Sequence, residues 1–488
     1  MSKSSCIVSI KSLPFNQFLT TSHTYSFAND LTDLVVNDLN LKRIRRESYQ
    51  VAVNLIVLNL FVAYEEDKMQ VVGISRDSNY WDGRDKPYNN SNLSYSFMVT
   101  ALDVLEKHKL IEVVQKGKQG QYGNPGTTTR YRASKSLIKL CKRDSLDIVD
   151  INVSVDFPVI RLRGKKPKKT LFNPFPKGKL INFKQTPQLK IMQAMVREIN
   201  QHLSITDINL YLSHAEEEAL NKRMVNKKKE EEGKEDRVRY HHKYLYRVFN
   251  EDFEHGGRFY GGFWQQIPSE YRQRVTIDNF LTFEMDYSSI HFSMLYQQEG
   301  IPKEAYKDPY TLEVEDAELR KIYKVTMNIM LNTSSFDEAL KVCRKDKMLL
   351  PRNRYKNWTN LIQHILDHHQ PIKKYFFKQI GTELQRLDSD IAEFVMLKMF
   401  NEHGVVVLPI HDSFLCRMKD LDKLIPIMHE AADAVAGLSL YMDIKAHSKN
   451  HQGYGKELKM KNTNYYKRRK AFLQKMNIKM MITPPNIL

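Results

Sequence analysis

Two aspartates set in apolar surroundings carry the strongest chemical signal in this sequence. In VVVLPIHDSFLC (405–416), two apolar runs flank His411-Asp412, which predicts a strand, a sharp turn and a returning strand. An ionisable pair at the tip of an apolar hairpin is poorly placed for a core and well placed to hold a metal ion. In LTFEMDYSSIHFSMLYQQ (281–298), a strand over 281–287 puts Glu284 and Asp286 on one face, and an amphipathic helix follows from Ser289 to Gln298. Glu284 is expected in a salt bridge, with a third metal ligand as the alternative, and Asp286 at the strand's end. Two aspartates from two strand ends can converge on a pair of Mg²⁺ ions, with Mn²⁺ as the alternative. Such ions, about 4 Å apart, stabilise the attacking and leaving oxygens of an in-line phosphoryl transfer. Between the aspartates, Arg320, Lys324, Asn328 and Asn332 recur every fourth residue. On an α-helix they drift by only about 40° per step and form one polar stripe. Its two cations could grip a triphosphate, and its two amides could touch a sugar or base.

These parts resemble a family. DYSSIHFSMLY is similar to motif A of the family A nucleic-acid polymerases, RKIYKVTMNIMLN to motif B and PIHDSF to motif C. HDSF resembles the single-subunit RNA polymerases of phages and mitochondria more than the HDE of the DNA polymerases. GGRFYGGFWQQIP (256–268) resembles their DxxGR element, with Glu254 where the family has Asp. The resemblance runs in patches from Phe249 to Arg417. It implies a right-hand core of palm, fingers and thumb, in which Asp286 and Asp412 hold two Mg²⁺. Arg320 and Lys324 would contact the triphosphate, Arg258 the template or primer, and His411 would position the turn or the primer end. His291, Asn328, Asn332 and Tyr287 would face the incoming nucleotide and its sugar. His291 stands where the DNA polymerases carry Glu and the RNA polymerases a small residue, and Asn332-Thr333 replace the family's Tyr-Gly. The implied function is DNA-dependent RNA polymerase or primase-like synthesis from nucleoside triphosphates on a DNA template. DNA-dependent DNA synthesis is the alternative, and a non-catalytic winged-helix initiator with a degenerate palm is the alternative from another class.

The 488 residues suggest two to four domains, and 42% apolar residues suffice for buried cores. A net charge of +18 favours a polyanionic partner. Cysteines 6, 141, 343 and 416 are scattered, which points to neither a disulfide framework nor a zinc knuckle. No apolar run reaches the ~20 residues of a membrane span, and no signal peptide is recognised. A cytoplasmic protein with no membrane partner is expected.

In order, the expected organisation is α/β and multidomain. Residues 1–40 form a lead-in. Residues 41–145 read as a winged-helix domain: apolar helices over 48–66 and 95–108, then a hairpin with a Gly-, Pro- and Asn-rich tip. Lys116, Lys118, Arg130 and Arg132 on that hairpin would touch phosphates. Residues 146–186 read as a basic linker and 187–250 as a mostly helical, thumb-like region. Residues 251–455 hold the palm and compact fingers, and 456–488 a basic tail in which Tyr465 and Tyr466 could stack on bases. His364, His368 and His369 could suggest a metal phosphohydrolase, but such enzymes carry their His-Asp pair on helices. The cluster is expected on a surface face or at a phosphate.

Overall fold

A computed structural model of the chain describes residues 12–21, 24–39, 45–81, 88–90, 92–118, 126–167, 177–230, 237–306, 308–312, 316–345, 350–445 and 463–482. The chain divides into two compact units, 1–158 with 240–242 and 467–488, and 159–239 with 243–466. It is a multidomain mixture of helix and sheet. The expected hairpin tip at 119–125, the middle of the expected linker at 168–176 and the start of the expected tail at 456–462 lie outside the described residues.

The first unit opens with β1 (Leu13–Pro14), β2 (Leu19–Thr21) and α1 (Ser26–Leu39), so the expected lead-in carries regular structure. There follow α2 (Arg46–Glu66), β3 (Val72–Ile74), α3 (Ser78–Trp81), α4 (Tyr95–Lys107), β4 (Ile111–Gln115), β5 (Thr129–Ala133), α5 (Lys135–Arg143) and β6 (Ile151–Val153). The helix α2 is apolar on nearly every side, and twelve of its residues from Tyr49 to Ala63 are buried. By length and composition alone this helix could cross a membrane. The structure instead buries 67% of its apolar window in the core of this unit. A four-stranded sheet in the order β1-β3-β5-β4 covers that core, and β2 pairs with β6.

The second unit comprises β7 (Ile160–Arg163), α6 (Pro187–Ser204), β8 (Ile208–Leu210), α7 (His214–Glu230), β9 (Tyr246–Asn250), β10 (Gly256–Tyr260), α8 (Phe263–Gln266), α9 (Ser269–Arg272), β11 (Val275–Ile277), β12 (Phe280–Tyr287) and α10 (Ile290–Gln298). It continues with α11 (Ala317–Leu331), α12 (Phe336–Lys345), α13 (Trp358–His368), α14 (Gly381–His403), β13 (Leu408–Ile410), β14 (Ser413–Arg417), α15 (Leu421–Ala436) and β15 (Met442–Ile444). The last helix, α16 (Asn464–Ile482), starts in the second unit and from residue 467 belongs to the first. Two expectations are corrected here. The linker read over 146–186 contains β6 and β7, and β7 pairs parallel with β9, its Ile160 and Leu162 buried. The stretch read as helical over 187–250 gives β8 and β9 to two sheets.

The larger sheet runs β13-β14-β12-β11-β8, with β15 also paired to β12. Its central strand β12 is buried at every position from Leu281 to Met285 and again at Tyr287, so Asp286 interrupts the run as its one half-buried residue. The smaller sheet is fastened to α14 by Arg247, whose side chain is fully buried. Its Nε donates to the Gly257 carbonyl (2.7 Å), and its two terminal nitrogens reach Glu393 (3.0 Å), Ser389 (2.8 Å) and Asp390 (2.7 Å). Burial first, against the pull of Glu393, lowers the pKa of this guanidinium. Gly257 is left-handed (φ +84°), and a Cβ there would come within 3.0 Å of Ser389, Phe249 and Arg247, so only glycine lets the strand approach the helix.

Candidate active site

The register of the larger sheet brings the two aspartates together. Asp286 at the end of β12 faces Ser413 of β14, and Ile410 faces Ser413 across the hairpin, which leaves His411 and Asp412 as a two-residue loop. The Asp412 carbonyl accepts a long bond from the Tyr287 amide (3.4 Å). A left-handed residue precedes Asp412, His411 at φ +59°, and another stands three residues after Asp286, Ser289 at φ +52°. For side-chain-bearing residues this conformation is costly, and it recurs where a site must aim its groups. The hairpin is held from below: Trp264 Nε1 and Gln265 Nε2 both donate to the Pro409 carbonyl at 3.1 Å. The aromatic and amide residues of GGFWQQ therefore support the loop that carries Asp412.

Asp286 forms an ion pair through Oδ2 with Lys445, just past β15, while its buried Oδ1 has no hydrogen-bond partner. Burial, and then the negative charge of Asp412, push its carboxyl pKa up against the opposing pull of Lys445. Glu284, on the same face, accepts from the Ser413 hydroxyl (2.7 Å) and lies 3.6 Å from Arg272.

Asp388, which sequence reasoning did not single out, organises the neighbouring groups. Its side chain is fully buried on α14. It accepts from Arg258 Nε (3.1 and 3.2 Å) and from the Arg258 terminal nitrogen, and its Oδ2 lies 2.8 Å from His291 Nε2. Burial raises the pKa of this carboxyl, but the bonds from His291 and Arg258 outweigh it and hold it below the usual range. Arg258, expected at template or primer, and His291, expected at the sugar, are thus both engaged by one carboxylate. His411 stands 6.1 Å from the Tyr260 ring. Loss of surrounding water, and then the charge of Arg258, push its imidazole pKa down.

The polar stripe on α11 forms as its spacing predicts, yet its members are partly engaged. Arg320 meets Asp308 through Nε (2.6 Å) and Nη2 (3.1 Å). Arg320 and Lys324 also lie 5.3 and 5.4 Å from the Tyr310 ring centre. Tyr310 lies under both cations of this stripe: it is buried, and burial raises its phenol pKa. The Asn328 and Asn332 amides donate back to the carbonyls of Lys324 and Asn328, each at 2.8 Å, so the helix itself uses them. Asn332 also packs on Gly381, where a Cβ would come within 2.2 Å of it. Tyr287 is not brought to the site: its ring is buried and its hydroxyl donates to the Met428 carbonyl (2.5 Å).

A cavity of about 960 Å³ opens beside these groups, lined in part by Ser288, Ser289, Asp308, Arg320, His369 and Asp443. His369 corrects an expectation, since it is fully buried rather than on a surface face. Its Nδ1 hydrogen-bonds the Tyr296 hydroxyl (2.6 Å), and burial, with His368 and His364 nearby, pushes its pKa down to about 3. Tyr465 is likewise buried, with its hydroxyl on Asn279 (2.6 Å), so it offers no ring to a base, whereas Tyr466 is exposed. In the first unit, Lys116 and Lys118 are exposed and Arg130 half-buried, while Arg132 pairs with Glu112 (2.7 Å).

Among the described residues no group of three or more His, Cys, Asp or Glu side chains is arranged around a metal position. No family model matches the sequence, and no curated protein matches it. Among solved structures, the chain is similar to the POL domain of Pol1 from M. smegmatis in complex with DNA primer-template and dNTP. That likeness has a TM-score of 0.26 at 12% identity, over 41% of this chain and 47% of that one, so the chain spans about half of the structure it matches. A likeness at this level assigns no residue a role.

Proposed function

We propose that the chain is a template-directed nucleotidyltransferase, specifically a DNA-dependent RNA polymerase of right-hand architecture. In this reading the β12–β14 sheet is the palm, α11–α13 the compact fingers and α6–α7 the thumb, and the first unit is a winged helix that grips DNA through its basic hairpin. One observation carries the reading: Asp286 and Asp412 meet across adjacent strands, and Ser288 and Ser289, which follow Asp286 in the chain, line one cavity with Arg320 of α11.

The donor set fits magnesium. Two carboxylates, one with an orphaned buried oxygen, suit an ion that takes one or two protein carboxylates and completes its shell with water and substrate phosphates. Asp286 and Asp412 would hold two such ions, with manganese as the substitute. When bound, they supply positive charge that favours the ionised attacking hydroxyl and the departing pyrophosphate. The protein's own groups do the rest. Arg320 exchanges Asp308 for triphosphate oxygens, Lys324 adds a second charge beside it, and the buried Tyr310 ring keeps both cations aimed. His411 stands beside Asp412 to position the 3′ end. Arg258 and His291, locked on Asp388, fix the wall against which template and sugar lie. HDSF and GGRFYGGF favour ribonucleotides.

The test is extension of a labelled primer on a DNA template with Mg²⁺, supplying NTPs and dNTPs separately, for wild type and Asp412→Asn. Extension with NTPs that vanishes in the variant is the expected result, and extension with dNTPs alone makes the chain a DNA polymerase. If neither pool is used while DNA is still bound, the chain is a binding protein with a degenerate palm, a reading that the engagement of Arg320 by Asp308 favours.

A further inference from the structure

The cation at Asp286 comes from the far end of the domain. The strand β15 pairs with β12 so that Asp443 faces Asp286, and the Lys445 amide extends the ladder by donating to the Glu284 carbonyl (2.9 Å). Lys445 thereby stands across from Glu284 and one diagonal step from Asp286, on the same face of the sheet. Such a diagonal spans about 7–8 Å between Cα atoms, within reach of a long side chain. The Lys445 ammonium closes on Asp286 Oδ2, and its side chain is 36% exposed. The neighbouring arginines are committed elsewhere: Arg258 to Asp388, Arg320 to Asp308, and Arg272 beside Glu284.

We propose that Lys445 is a resident counter-cation that competes with the divalent metal for Asp286 and so sets the metal concentration at which the site loads. The inference rests on reading Asp286 and Asp412 as metal ligands. An ammonium that donates to Oδ2 and a divalent ion bound to the same carboxylate repel each other at contact distance, so one must leave for the other to bind. A single ammonium neutralises one carboxylate and leaves the repulsion between Asp286 and Asp412 in place. A pair of divalent ions relieves it, so the exchange runs toward metal once enough is present. The partial exposure of Lys445 gives its ammonium a solvated position to move to, and the Asp286 Oδ1 has no hydrogen-bond partner that a metal would have to displace.

The test uses the full chain and Mn²⁺ alone, without nucleotide or DNA, reading free Mn²⁺ by electron paramagnetic resonance. Lys445→Met keeps the stem and removes the charge. It is expected to bind Mn²⁺ about tenfold more tightly than wild type, while Lys445→Arg stays close to wild type. Equal or weaker binding by Lys445→Met overturns the inference. If wild type and Lys445→Met show no Mn²⁺ binding that is lost in Asp286→Asn, the metal-ligand reading itself fails. A second measurement needs no variant: acetylation of Lys445 in the wild type, followed by mass spectrometry, is expected to speed up at saturating Mn²⁺ as the ion pair opens. An unchanged rate overturns the inference even if Lys445→Met does not fold.

Discussion

His291 Nε2 lies 2.8 Å from Oδ2 of Asp388, the oxygen that the Arg258 terminal nitrogen also reaches. One buried carboxylate on α14 therefore fixes a residue of β10 and a residue of α10 at once. Asp388→Asn keeps the shape and removes the charge, leaving Arg258 with no buried counter-ion. Urea unfolding should show a loss of about 3–5 kcal/mol. Because the folded-state pKa of Asp388 is depressed, its contribution is complete above the unfolded value of about 3.9 and is lost as pH falls below it. The acid limb of the wild-type stability curve should therefore be shallower in Asp388→Asn.

The same contact makes His291 a fixed wall rather than a mobile side chain. His291→Gly should shift sugar preference toward ribonucleotides, measured as the ratio of NTP to dNTP incorporation on one template. An unchanged ratio would remove His291 from sugar selection.

Trp264 tests the support under the hairpin. Trp264→Phe keeps a ring in the fully buried slot and removes one of the two donors to Pro409, a loss of about 0.5–1.5 kcal/mol in thermal or urea unfolding. Extension should fall further than stability, because Asp412 sits three residues beyond Pro409 on the loop that this bond holds.

Arg247 tests the fastening of the smaller sheet. Arg247→Met leaves Glu393 buried beside a neutral neighbour and should cost about 3–5 kcal/mol. Restoring balance with Glu393→Gln in the double variant should recover part of the loss, and strictly additive losses would deny the coupling.

On the basic hairpin, Lys116 and Lys118 are exposed whereas Arg132 is held by Glu112. Lys116→Ala with Lys118→Ala should flatten the salt dependence of DNA binding by about 1.8 in the log–log slope if both touch phosphates. Arg132→Ala should change that slope least.

Much of the framework is legible in the sequence because its signals are local. The strand over 281–287, the helix that follows, the His411-Asp412 turn and the stripe on α11 each follow from periodicity within one element. Asp388, Tyr310 and Lys445 are not legible in this way, since each acquires its meaning from a residue on another element. Asp388 does leave one trace: it stands with Leu384, Ala392 and Val395 on the buried stripe of α14, where a carboxylate demands a partner. The strand β7 was read as linker because four residues, Ile160 to Arg163, alternate for too short a run to compete with the cations around them. The burial of His369 is not legible locally, because its hydrogen-bond partner Tyr296 lies on a different helix.

The sheet that carries the aspartates also dictates when in synthesis it can close. Its central strand β12 is made well before its partners β14 and β15, and Asp286 lies 159 residues before Lys445. Until those strands leave the ribosome, β12 exposes an unpaired apolar edge, the kind of edge that recruits other chains. Contacts this remote in sequence also form slowly. The carboxylate pair therefore waits for β14, and a chain released between β14 and β15 carries both aspartates without the Lys445 ammonium.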